Sequence, residues 1–215
     1  MSSKLRAVLI SLLVCLVFTS SVLYLHYVQK KIQPISLKIS GSIPYYTPNE
    51  LSGLADLIVE GNVASISPGK WNTSDGKKPN KISLNDIIYR EVSVNVKNVL
   101  KGTINVDSVI KVYSHEGIDE SGFSVYSDAE PKFTEGEDVI LFLSKDNTIY
   151  NKSKSSDHYI VTGLILGKYD INNGIAMNEY SNEQKSIPLE DFRILIKNNV
   201  NTKLFQHPTG TKLEN

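Results

Sequence analysis

The segment 88–102, IYREVSVNVKNVLKG, leaves little freedom of fold. Val92, Val94 and Val96 alternate with Ser93, Asn95 and Lys97, the period of two that sends one set of side chains to a core and the other to water. The stretch is therefore a half-buried strand. Its alternation slips at Asn98, which predicts a bulge, and Lys101-Gly102 ends it.

Such a strand needs partners, and the chain supplies several. Residues 56–66 read as a strand with Leu57, Val59 and Val63 on one face and with a bend at Gly61. Further strands are predicted at 108–114, 139–144, 159–162, 167–171 and 175–177, the last two joined by the hairpin signal Asn172-Asn173-Gly174. The run 139–143, VILFL, is apolar without alternation and reads as the central, most buried strand. Helix signals lie near the ends. Thr47-Pro48-Asn49-Glu50 is a capping box opening a short helix through Leu51, Leu54 and Ala55. Residues 188–198 carry an apolar stripe of Leu189, Phe192, Leu195 and Ile196 behind acids in the first turn. The predicted class is mainly β, a small antiparallel barrel or sandwich with short flanking helices.

The N-terminus is a different material. Residues 7–28 form an apolar run of the length that spans a bilayer, with Lys4 and Arg6 before it and Tyr24 and Tyr27 near its far end. Thr19-Ser20-Ser21 offers a weak signal-peptide cleavage site, but apolar sequence resumes at Val22. Val14 before Cys15 does not suit a lipid-modified cysteine. The reading is an uncleaved signal anchor, in a bacterial-type membrane protein whose domain lies outside the cytoplasm. The layout is then a cytoplasmic N-terminus at 1–6, a transmembrane anchor at 7–28, a tether at 29–46, an extracytoplasmic β domain at 47–200 and a flexible tail at 201–215.

Charge narrows the partners. Five of the 23 basic residues precede the first acid, Glu50, so the remainder holds 18 basic against 23 acidic residues, a net of −5. That balance argues against nucleic acid. The basic cluster Lys77-Lys78-Pro79-Asn80-Lys81 reads as a solvated loop. The single cysteine, Cys15, lies in the apolar run, so the β domain has no disulfide and no thiolate metal site.

The strand order carries a resemblance. The succession ADLIVEGNV, a long loop, REVSVNVKNVLKG and IKVYS, followed by PKFTEGEDVILFL and YIVTGLILGKYDI, resembles the netrin-like domain, the OB-type barrel of tissue inhibitors of metalloproteinases. It also resembles exported bacterial domains of that general pattern. It covers roughly 55–177 and implies an OB/netrin-like barrel with a binding role. Those inhibitors chelate zinc through an N-terminal cysteine in a disulfide framework. This chain has no cysteine outside residues 7–28, so no inhibitory residue carries over.

Few residues suggest chemistry. His115, Glu116 and Asp119 form the best catalytic-looking cluster, since imidazole and carboxylates can bind a metal or move protons. Gly117 and Gly122 make the same stretch read as a solvated loop. Asp170-Ile171-Asn172-Asn173-Gly174 starts like a calcium loop, but Ile175 and Ser181 stand where ligands are required, so a hairpin is favoured. The five acids Glu130, Glu135, Glu137, Asp138 and Asp146 around VILFL read as turn and solvent-side gatekeepers. No cofactor or metal is expected. The functional expectation is a membrane-anchored domain binding a protein or a cell-wall component without catalysis. A metal-dependent hydrolase centred on His115, Glu116 and Asp119 is the alternative, and a protease inhibitor acting through the loop at 68–86 is a third.

Overall fold

The computed structural model of the protein describes residues 15–22, 24, 36–40, 43–155, 157–181 and 185–200. The chain forms two units, Met1–Ile35 and Ser36–Asn215. In the first, residues 15–22 are helical. The rest of the proposed anchor lies outside the described residues, Tyr24 excepted, as do the cytoplasmic end, most of the tether and the tail. No helix among the described residues is long and apolar enough to cross a membrane.

The second unit is mainly β. Its strands are β1 (Ser36–Ile39), β2 (Leu57–Ile66), β3 (Lys70–Trp71), β4 (Ile88–Lys101), β5 (Val109–Ser114), β6 (Gly117–Ile118), β7 (Ser124–Ser127), β8 (Asp138–Lys145), β9 (Tyr159–Val161), β10 (Lys168–Asn172), β11 (Ile175–Met177) and β12 (Ser186–Pro188). Three short helices accompany them, at Pro48–Leu54, Leu164–Gly167 (a 3₁₀ turn) and Leu189–Asn199. The first opens on the expected capping box: Thr47 accepts from the Glu50 amide and the Glu50 carboxylate accepts from the Thr47 amide. In the last, Phe192 and Ile196 are fully buried while Leu189 and Leu195 are partly so.

Five strands close a barrel in the order β2-β4-β5-β9-β8, with β8 returning to β2. All pairs are antiparallel except β5 with β9. A closed five-stranded barrel with one parallel pair is compatible with an OB-type barrel. From β8 the sheet also extends outward through β10, β11 and β12. The β10–β11 turn places Asn173 and Gly174 at positive φ, so the calcium-like stretch is a tight hairpin. Five short strands, β1, β3, β6, β7 and β12, were not anticipated. Residues 36–39, read as tether, form β1 and pair in parallel with β7, which pairs with β6.

β8 explains its own sequence. Val139, Leu141 and Leu143 point into the barrel beside Val59, Val63, Val92, Val94 and Val96. Ile140 and Phe142 point outward into a second core with Leu51, Tyr169, Phe192 and Ile196. With both faces covered, polar alternation would bury polar groups, so all five residues are apolar and none is exposed to solvent. On β2 the outward Glu60 is met by Arg193 of the last helix, whose Nη2 lies 2.6 Å from Oε2.

Gly61 marks one break in the β2–β4 ladder. The β2–β4 register jumps between Glu60 and Gly61, skipping Lys97. A Cβ at Gly61 would lie 2.6 Å from the Asn95 carbonyl oxygen and 2.7 Å from Val94 Cγ1. The first obstacle is backbone and cannot rotate away. Gly61→Ala should destabilise the domain by roughly 1–3 kcal/mol, the range of core overpacking, and lower its urea midpoint without changing the transition's slope. An unchanged midpoint would mean that the bend does not depend on the missing side chain.

Candidate functional site

The loops 67–87 and 146–158 meet over the outer surface of β4 and β5. Between them lies a cleft of about 560 Å³. Alternation builds its floor. Val112 of β5 points into the barrel, so Tyr113 points out, and His115 two residues on shares that side. On β4, the inward Val92 likewise leaves Tyr89 outside. Loop residues Asn72, Thr73, Ser74, Tyr150, Asn151 and His158 supply walls.

The aromatic rings are organised. Tyr89 stacks on Tyr113 with centroids 4.5 Å apart, and Tyr113 stacks on His158 at 3.8 Å. His115 meets Tyr150 edge-on at 5.3 Å. Burial pushes the Tyr113 hydroxyl above its ordinary range, with the nearby Tyr89, Glu91 and Asp157 adding to the effect.

The loops are tied together rather than draped. Asn72 donates to the carbonyls of Asn85 and Tyr150, at 2.8 and 2.9 Å, and accepts from the Ile87 amide. Lys152 pairs with Asp86 across the loops. Asp146 uses both oxygens: Oδ1 accepts from the Thr148 amide and hydroxyl, while Oδ2 lies 3.0 Å from His158 Nε2. Burial pushes that carboxyl up, but the Thr148 bonds, His158 and His115 outweigh it and hold it below the usual range. His158 Nδ1 lies 3.1 Å from Asp157, so both ring nitrogens face carboxylates. Burial holds His115 below its ordinary value, a neighbouring His158 acts in the same direction, and Asp146 only partly opposes them. His115 is therefore uncharged at neutral pH.

The cluster read from sequence comes apart. His115 faces the cleft, while the next residue, Glu116, turns to the opposite side of the strand. There it binds Arg90 Nη2 at 2.7 Å and Lys132. Asp119 accepts from Trp71 Nε1, the Ser121 amide and hydroxyl, and the Phe123 amide, which makes it a staple for its loop. Its carboxyl is held low by those donors against the opposing pull of burial. Nor is this stretch the solvated loop that its glycines suggested, since Glu116 and Asp119 are buried. Among the described residues, no group of three or more His, Cys, Asp or Glu gathers as a metal centre would need.

The acids around β8 also divide. Glu135 accepts from the Ile66 amide, Glu137 caps the Thr134 amide, and Asp138 receives Lys97 and Asn62, all as turn and surface partners. Glu130 and Asp146 do not belong to the solvent side: each is less than a tenth exposed. Glu130 lies behind the cleft, with Ser114 Oγ 3.4 Å from its Oε2 and His115 Nδ1 3.7 Å from its Oε1. Burial pushes its carboxyl up to about 7.

No family model matches the chain, and none of the curated proteins compared with it matches either.

Proposed function

We propose that this chain is a membrane-anchored, extracytoplasmic binding domain, held by residues 7–28, whose ligand site is the cleft between the loops 67–87 and 146–158. The ligand is a cell-wall component or a protein at the cell envelope, and the activity is binding without catalysis. One observation carries this reading: three tyrosines and two histidines collect on the barrel's β4–β5 face between two cross-linked loops. In OB-type barrels that face and those loops hold the ligand. A netrin-like ancestry of the barrel belongs to the same proposal and rests on the strand motifs quoted above.

The hydrolase alternative loses its constellation, because His115, Glu116 and Asp119 face three different sets of partners. The loop-inhibitor reading calls for a rigid protruding loop at 68–86. This loop is instead tied down to its neighbour, through Asn72 on the Tyr150 carbonyl and Asp86 with Lys152.

The test is capture of envelope material by the immobilised full chain. Wild type should retain a component that Tyr89→Ala and Tyr150→Ala each lose several-fold, while Tyr180→Ala, an exposed tyrosine outside the cleft, retains it. Equal capture by all four proteins would place the site elsewhere.

A further inference from the structure

We infer that the cleft takes an uncharged saccharide, its sugar rings lying against the half-buried rings of Tyr89 and Tyr150. This inference rests on the cleft being the binding site, and three observations select the ligand's class.

The first is charge. Two lining residues carry formal charge, Asp146 and Lys152, and each is already engaged, with His158 and Thr148 in one case and with Asp86 in the other. His115 is uncharged at neutral pH because burial holds it low. The described lining residues therefore offer no free cation to a phosphate or carboxylate and no free carboxylate to a basic peptide. The acidic excess of the domain, −5 outside the N-terminal region, further disfavours anionic polymers.

The second is the state of the strands. A peptide docks readily by adding itself to an open strand edge. Here Tyr113 of β5 lies between Glu91 of β4 and Ile160 of β9, and Tyr89 of β4 pairs with Lys70 of β3. Pairing on both sides leaves Tyr113, at the cleft floor, no free edge for an added strand.

The third is the kind of apolar surface. Among the described lining residues Ile87 is the sole purely aliphatic side chain, and the other large apolar side chains are the rings of Tyr89, Tyr113 and Tyr150. A protein partner's hot spot wants a desolvated pocket for a bulky anchor. Flat rings edged by hydroxyls suit a pyranose instead, whose C–H face packs on an aromatic ring while its hydroxyls meet neutral donors and acceptors. Tyr89, Tyr150, Thr73, Ser74, Ser153 and neutral His115 are such groups. The volume, about 560 Å³, lies in the range of ordinary ligand clefts.

The experiment is a titration of the full chain, in a detergent without a sugar headgroup, followed by amide NMR shifts. The probes are neutral oligosaccharides (cello- and chito-oligomers), an acidic oligosaccharide (oligogalacturonate) and a neutral peptide mixture. A neutral oligosaccharide should give saturable shifts concentrated at 72–74, 113–115 and 150–153. Tyr150→Ala should weaken that binding roughly tenfold, while Tyr180→Ala leaves it unchanged. Saturable shifts at the cleft from the acidic sugar or the peptides, with none from the neutral sugars, would overturn the saccharide class yet keep the cleft as the site. An envelope component captured through the cleft in the previous experiment, with silence from every neutral oligosaccharide, would overturn it too. Loss of cleft-dependent capture altogether would overturn the site itself.

Discussion

Leu141→Asp should leave the protein without a native fold. Leu141 is fully buried in the barrel interior and stands opposite Val59 on β2 and Lys168 on β10. Its strand pairs with β2, β9 and β10, so it is shared by the barrel and by the outward sheet. Truncating a buried leucine costs roughly 2–5 kcal/mol in lost transfer and cavity terms. A carboxylate in its place adds several kcal/mol of desolvation, since the cross-strand Lys168 is already paired with Glu137 and Asp170, or must take up a proton to avoid it. Together these consume most of the roughly 5–15 kcal/mol that holds an ordinary domain. Val109→Asp, at an exposed position on β5, should be tolerated, which separates burial from the mere arrival of a charge. Dispersed amide NMR signals and a cooperative melt in Leu141→Asp near the wild-type temperature would refute the placement of β8 at the centre.

The strands were legible because their signals are local. Alternating valines on β4, the apolar run of β8, the Asn173-Gly174 turn and the Thr47–Glu50 capping box each act over a few residues and leave their mark there. Barrel closure was legible only as a class, since the β5–β9 pairing joins residues far apart in sequence. The cleft was least legible. Its aromatic pairs, Tyr113 with His158 and His115 with Tyr150, come from segments more than thirty residues apart and carry no spacing rule. His115 could be singled out, but its sequence neighbours Glu116 and Asp119 misled, because strand alternation and loop turns send adjacent residues to different sides. The acids Glu130 and Asp146 look like the solvated acids beside them. One faint signal was present: Asp146-Asn147-Thr148 has the spacing of a side chain that caps its own turn, as it does here.

Glu130→Gln should stabilise the protein above neutrality and change little in mild acid. Burial raises the Glu130 carboxyl to about 7 from an unfolded value near 4.5, the nearby Glu116 carboxylate pushes the same way, and the His115 amide, Ser114 hydroxyl and Lys132 only partly oppose them. Between pH 4.5 and 7 the folded chain holds a proton that the unfolded chain has released. The native state binds more protons there, so stability falls as pH rises through that window and levels off above it. A shift of this size is worth on the order of 3 kcal/mol, an upper value for a group that local opening can rehydrate. Glutamine keeps the shape, and its carbonyl can still accept from Ser114 and His115, but it never ionises. The stability gap between Glu130→Gln and wild type, from urea midpoints at pH 5 and pH 8, should therefore widen toward pH 8. Curves that run parallel across the window would mean that Glu130 stays ionised, or meets water, in the folded protein. A widening gap would identify an acid kept at a standing cost directly behind the cleft histidine. Such a cost is characteristic of residues retained for what a site does rather than for what the fold requires.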